Sequence, residues 1–307
     1  MNICVVGAGA IGGWVAAKLS LAGQTVMALT SRGPLDAVEI AEADETRSVR
    51  FDRFETAPQL LVIAVKAPAL PSLAAQLRPL VGSDTLILPM LNGVPWWFVD
   101  GQPLRSVDPT GTIGAALPVE RIIGCVVHAS CFRPSPDQVV VKHADKLIIG
   151  DPGGSASDRV GVLKAMFEDA GIRCDASDNI RRAIWYKLWG NATINPLSAL
   201  TRATADRVLA DPECHAWMLE GMAELAEIGG TIGCPISESG EDRMKVTARL
   251  GAFKTSMLQD VEACRPIELE ALLGAPREIA RRHGLPTPAL DRLYGVTRLM
   301  ATSLGLN

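Results

Sequence analysis

The chain holds 307 residues, 48% of them hydrophobic, with a net charge of −4. That length and apolar content suffice for two cored domains, and no basic run or stripe marks a nucleic-acid partner. Lys66, Pro89 and Arg121 interrupt the apolar stretches before any reaches membrane-spanning length, so no membrane partner is expected.

Ile3–Val6 opens the chain with four strand-type residues, and Gly7-Ala8-Gly9-Ala10-Ile11-Gly12 follows at once. Trp14–Leu21 then shows helical apolar spacing. Strand, glycines and helix in that order point to a dinucleotide turn. Gly7 permits the tight turn, Gly9 lets backbone approach a pyrophosphate, and Gly12 lets the helix pack closely on its strand. The helix start, at Ala10 and Ile11, offers N–H groups to the phosphates. Further strands are expected at Thr25–Leu29, Leu60–Val65 and Thr85–Leu88, alternating with helical stretches in the manner of βαβ units. Three more, near Ile122–Ala129, Gln138–Lys142 and Lys146–Ile149, lie too close together for helices between them and read as an antiparallel extension. An amphipathic helix at Asp158–Ala170 and a short strand at Ile172–Asp175 close this half.

Strand signals vanish beyond about residue 178. Helices are expected over Asn179–Ala192, Pro212–Ile232, Ser239–Cys264, Pro266–His283 and Thr287–Leu304, with breaks at Asn195-Pro196, Gly233-Cys234-Pro235 and Gly284-Leu285-Pro286. The fold class is therefore α/β: an N-terminal Rossmann-type dinucleotide-binding domain over residues 1–176, then an all-helical C-terminal domain over 177–307. A strand starting at residue 2 or 3 leaves no room for a secretory leader. Seven dispersed cysteines without a CxxC pair suit free thiols, so a cytoplasmic location is expected. His128, His143, His215 and His283 form no ligand pair, and no metal is expected.

The second strand decides which dinucleotide. An NAD site usually ends that strand with a carboxylate for the ribose 2′-hydroxyl. Here Thr25–Thr30 runs into Ser31-Arg32-Gly33, and no carboxylate appears until Asp36. A guanidinium chelates a 2′-phosphate and a hydroxyl hydrogen-bonds it, so Ser31 and Arg32 favour NADP(H). Lys66, at the end of another strand, adds positive charge.

In the helical half, Lys187, Asn191 and Asn195 recur every fourth residue and share roughly 80° of helix arc. On spacing alone they are either a solvated stripe or a cleft lining. Their apolar surroundings (Trp185, Leu188, Trp189, Ile194, Leu197) favour the lining, as does asparagine itself, a poor helix former whose amide wants a partner. A second polar set holds Ser256, Asp260, Arg265 and Glu268; carboxylates in helical domains are mostly surface charges, and spacing gives Glu268 no role.

Taken together and in order, these motifs resemble the ketopantoate reductase (2-dehydropantoate 2-reductase) family over essentially the full chain. The residues that carry the resemblance are Gly7-x-Gly9-x-x-Gly12, Val65-Lys66-Ala67, Leu91-Asn92-Gly93, Lys187-x3-Asn191-x3-Asn195-Pro196-Leu197, and Ser256-Met257-x-x-Asp260 with Arg265 and Glu268 beyond. The resemblance implies that Lys187 is the catalytic acid and Glu268 its carboxylate partner. It also implies that Asn92 and Ser256 contact substrate or cofactor, that Asn191 and Asn195 hold the substrate hydroxyl, and that Lys66 lies near the cofactor. The expected reaction is NADPH-dependent reduction of 2-dehydropantoate to (R)-pantoate in pantothenate and coenzyme A synthesis, by a possible homodimer.

Three departures from the family pattern stand out. Phe253 replaces an expected polar residue, Cys264-Arg265-Pro266 replaces a glycine-containing turn, and Trp96-Trp97-Phe98 follows Asn92-Gly93 as a bulky plug or a pocket wall. They keep open a D-2-hydroxyacid dehydrogenase acting on a bulkier or more apolar 2-oxo acid. A redox sensor that binds NADP(H) without turnover is the alternative outside enzymes.

Overall fold

Ile3, Cys4, Val5 and Val6 are all buried, so the first strand is covered on both faces, as a central parallel strand must be. The computed structural model describes residues 1–154 and 157–306. In it the chain divides into two units, Met1–Leu91 with Thr112–Ala183 and Asn92–Gly111 with Ile184–Asn307.

In the first unit, β1 (Asn2–Val6) passes through the glycine turn into α1 (Ala10–Leu21), and β2 (Thr25–Thr30) pairs parallel with β1. β3 (Gly33–Leu35) turns back antiparallel on β2, and β4 (Ala37–Glu42) forms a hairpin with β5 (Glu45–Arg50). β6 (Leu60–Ile63) pairs with the other edge of β1; α2 (Leu70–Leu77) then leads to β7 (Leu86–Pro89), parallel to β6. The first sheet therefore runs β3-β2-β1-β6-β7. After α3 (Thr112–Ala116), β8 (Gly124–Ser135) and β9 (Gln138–Gly150) form a long antiparallel pair. Then α4 (Asp158–Asp169) leads to β10 (Cys174–Ala176), which lies parallel to β9. The second sheet runs β10-β9-β4-β5, with β8 also on β9.

Two features depart from the expected pattern. Between β2 and β6 the chain runs through three strands and no helix, because β4 pairs with β9 and extends the second sheet. Nothing in the sequence marked β5: four of its first residues are exposed and polar or charged, so it lacks apolar alternation. The segments expected at Gln138–Lys142 and Lys146–Ile149 are one strand, since pairing of Ser130 with His143 and Ala129 with Ala144 carries β9 across the polar interval.

The second unit is helical: α5 (Ile180–Thr201, whose first turn belongs to the first unit), α6 (Ala205–Ala210), α7 (Pro212–Thr231), α8 (Gly240–Ala248), α9 (Ser256–Glu262), α10 (Ala275–Arg282) and α11 (Pro288–Leu304). Asn195-Pro196 does not end α5. A helix-interior proline removes one donor, but Ile194, Leu197, Ser198 and Ala199 are all buried, and that burial carries the helix on to Thr201. The long helix expected over Ser239–Cys264 is broken instead. Gly251 takes φ +69°, and the Thr255 hydroxyl accepts from Leu258 N (3.2 Å) to cap a new helix.

Residues 92–111 join this helical unit rather than the sheet unit, and 177–183 go the other way, so the division at 176/177 follows neither seam. The reason lies in the side chains. Trp96, Trp97 and Phe98 are buried, and Phe98 stacks on Trp185 of α5 with centroids 5.8 Å apart. Val94 N donates to Ala271 O (2.8 Å), while Glu278 accepts from Arg105 N (3.0 Å), Ser106 N (2.8 Å) and Ser106 Oγ (2.6 Å). The aromatic run is thus a core element of the helical unit.

Candidate active site

The first unit holds the nucleotide candidates. Gly7 has φ +89°, and a Cβ there would meet the backbone N of Val65 at 2.7 Å. At Gly12 a Cβ would fall 2.2 Å from Gly7 O. Above Gly9, by contrast, the nearest atom to a Cβ would be Gly7 O at 3.8 Å, so this side of the turn is open. Gly9 is also the cap of α1, with no side-chain cap bond and no acidic residue in the first turn. A helix start with no side-chain cap, no acidic residue in its first turn and an open glycine beside it fits the diphosphate of a dinucleotide. Ala10 and Ile11 stand in that first turn. Beside them, Gly7 N and Ala8 N both donate to Leu29 O (2.9 Å each), tying the turn to the end of β2. Ser31 and Arg32 follow in the turn to β3, both exposed. Lys66 is exposed too, and caps a short turn at Ala67–Ala69.

One cationic residue of this region carried no motif. Arg133, near the end of β8, donates from Nη1 to the carbonyl of Ala8 in the glycine turn. Burial, and then the charge of Arg32, hold its guanidinium below the ordinary arginine range, with Asp137 acting in the opposite sense. A lone arginine late in a strand gives no sequence signal; only the fold brings it to the turn.

The second unit holds the polar constellation. On α5, Trp185 Nε1 donates to Leu225 O (3.0 Å) and Trp189 Nε1 to Met222 O (2.7 Å), pinning one face of the helix to α7. Gly229 makes room for this, since a Cβ there would sit 2.4 Å from the Trp185 indole nitrogen. At about 100° per residue, Lys187, Asn191 and Asn195 lie well round the helix from that pinned face. Lys187 and Asn191 are half-buried and Asn195 is 5% exposed, which is not the profile of a solvated stripe.

Lys187 Nζ donates to Asn92 Oδ1 (2.9 Å), and Asn92 Nδ2 donates to Glu268 Oε2 (3.2 Å). Glu268 itself is 5% exposed, a carboxylate held where an unmatched charge would be costly. The fold thus brings together three residues from distant parts of the sequence, with the asparagine carboxamide between ammonium and carboxylate. Gly93 is part of the means. Its φ of +77° and its contact with the Ala271 backbone, 2.5 Å from where a Cβ would be, let the chain at Asn92 lie against the segment that follows Glu268. Ser256 stands exposed at the start of α9, one residue after the Thr255 cap. Asp260, 2% exposed, accepts from Arg265 Nε (3.1 Å) and braces the turn that leads to Glu268. Phe253 is half-buried, and its carbonyl accepts from Ala205 N (2.9 Å).

No helix among the described residues is long and apolar enough to cross a membrane. Comparison with known proteins gives a consistent result. The family model described as Ketopantoate reductase PanE/ApbA matches residues 3–154, and its C-terminal counterpart matches 179–301. A 2-dehydropantoate 2-reductase of Mesorhizobium japonicum is 35% identical over 99% of both chains. A solved structure from Ralstonia solanacearum MolK2, placed among the ketopantoate reductases, is 44% identical with TM-score 0.93 over 99% of both chains. The fold alone is also shared with D-mandelate dehydrogenase, solved with NADH and anilino(oxo)acetate, at 18% identity and TM-score 0.86 over 100% of both chains. The chain belongs to the ketopantoate reductase family, and with it to the NADP-dependent oxidoreductases acting on CH–OH.

Proposed function

We propose that this protein reduces a 2-oxo acid to the 2-hydroxy acid with NADPH, and that its substrate is 2-dehydropantoate. The observation that carries this reading is the linked set Lys187–Asn92–Glu268, with Asn191 and Asn195 on successive turns of the same helix as the lysine. Bound NADPH supplies the hydride. As the ketone carbon is reduced, negative charge grows on its oxygen, and the Lys187 ammonium neutralises that charge and delivers a proton to that oxygen. A positioned general acid of this kind contributes on the order of 10²–10⁴-fold.

The other residues act around that ammonium. Asn92 Oδ1 accepts a hydrogen bond from the Lys187 ammonium and so orients that ammonium. Glu268, by accepting from Asn92 Nδ2, sets which end of the carboxamide faces the lysine. Asn191 and Asn195 can each donate and accept, which suits the substrate's free hydroxyl, and they add no charge to compete with Lys187. Ser256 contacts the substrate from the start of α9. For the cofactor, Gly7, Gly9, Ala10, Ile11 and Gly12 would hold the diphosphate and Ser31 and Arg32 the 2′-phosphate, and Lys66 and Asn92 are assigned to nucleotide binding as well. The protein acts in the cytoplasm as a homodimer.

A panel assay tests the assignment: NADPH oxidation with 2-dehydropantoate, 2-oxoisovalerate, phenylpyruvate and oxaloacetate, repeated with NADH. The expected result is a clear kcat/KM preference for 2-dehydropantoate with NADPH. Faster turnover of phenylpyruvate would replace the substrate by an apolar 2-oxo acid, the direction in which Phe253 points. Tight NADPH binding with no turnover across the panel would leave only a nucleotide sensor.

A further inference from the structure

Arg133 reaches the glycine turn from the second sheet. The β8–β9 pairing shifts register between Phe132 and Ser135, and Arg133 sits in that irregular stretch, where a bulge re-aims a side chain. The same hairpin lies against the start of α1: a Cβ on Gly13 would meet Val139 Cγ2 at 2.9 Å. From there Arg133 Nη1 reaches Ala8 O, while its Nε is buried without a hydrogen-bond partner. The guanidinium is therefore anchored from one end, with donor capacity left over.

Its neighbourhood is cationic. Ala8 N is bonded to Leu29 O (2.9 Å), three residues before Arg32 in the chain, so Arg133 stands at the crossing of the glycine turn and the end of β2. The Arg32 charge reaches it and disfavours its protonated form, and Asp137 offsets this only in part. Among the described residues Arg32 makes no ion pair of its own. A like charge near enough to disfavour the protonated guanidinium is costly on its own, and a dianion bound by both arginines reverses the sign of that cost.

We infer that Arg133 joins Arg32 in gripping the 2′-phosphate of NADP(H), as a specificity-determining residue supplied from the second sheet. This rests on the NADP(H) reading of the β2 turn and adds a residue that no motif contains. Arg133 has a structural duty as well, since it supports the Ala8 carbonyl, so the test must separate the two roles. Arg133→Gln keeps an amide donor for that carbonyl and removes the charge.

Titration calorimetry with adenosine 2′,5′-bisphosphate and with AMP, on wild type, Arg133→Gln, Arg133→Ala and Arg32→Ala, reads the difference directly. Loss of one charged hydrogen-bonding partner predicts about tenfold weaker binding of the bisphosphate to Arg133→Gln, with AMP changed less than about twofold. The same split is expected for NADPH against NADH by fluorescence titration. Equal weakening of bisphosphate and AMP would reduce Arg133 to a prop for the glycine turn and overturn the inference, as would no change in either. Wild-type protein that binds the bisphosphate no better than AMP would overturn the NADP(H) reading and this inference together.

Discussion

Asn92 is the residue on which the helical-unit constellation turns. Its carboxamide presents oxygen to Lys187 and nitrogen to Glu268, and it cannot be reversed without facing like groups on both sides. Replacing it by aspartate tests this. A carboxylate would then lie about as close to Glu268 as the amide nitrogen does now (3.2 Å), and two adjacent carboxylates push one pKa upward. At neutral pH the Asn92→Asp variant should be poorly active; as pH falls and the pair takes up one proton, the neutral–anionic arrangement returns and activity recovers relative to wild type. A pH–rate profile of the variant with 2-dehydropantoate checks it, and a variant-to-wild-type ratio that does not rise toward acid pH would contradict it. Of this constellation, the sequence showed Lys187, Asn191 and Asn195 through their spacing, and Glu268 and Asn92 only through family resemblance. No local rule connects residues 92, 187 and 268, since what joins them is tertiary folding.

The elements that deliver these side chains depend on tight backbone approaches more than on helix propensity. Gly93 has a positive φ and no room for a Cβ against Ala271. Gly93→Ala should cost about 2 kcal/mol or more in denaturant stability, from strain and overlap together. Because Asn92 is adjacent, activity should fall beyond the loss of folded protein; a variant with unchanged stability would show that the turn relaxes freely. Helix boundaries teach the same lesson. The apolar pattern of α5 was legible, but its extension through Pro196 was not, because only the burial of the following turn offsets a proline. The hairpin of β4 and β5 was invisible for the opposite reason: β4 is held by pairing with β9, and the first four residues of β5 are polar or charged and exposed.

At the scale of the whole chain, the segment 92–111 leaves the sheet unit, joins the helical unit and returns, and Glu278 is its clasp. Burial pushes the Glu278 carboxyl up, but the hydrogen bonds from Ser106 and Arg105 and the Arg282 guanidinium outweigh it and hold the pKa below the usual 4.5. A lowered folded-state pKa means stability that is present above the unfolded-state carboxylate pKa and is lost as pH falls from there through the lower folded-state pKa. Glu278→Gln should therefore destabilise the protein near neutral pH, with the difference from wild type shrinking as pH falls below the ordinary carboxylate value of 4.5, in urea melts across that range. Parallel curves would remove Glu278 from the clasp. The α/β-then-helical architecture was readable from composition and period along the chain. The excursion of 92–111 was not, because contact between Phe98 and Trp185 is a property of the folded state.

The most direct measurement is the Lys187→Ala variant, with kcat on 2-dehydropantoate and Kd for NADPH determined on the same preparation. A general acid on the second unit predicts kcat lowered by at least about 10²-fold and NADPH affinity changed little. Retained turnover would contradict a lysine-centred reduction, whatever the family of the chain.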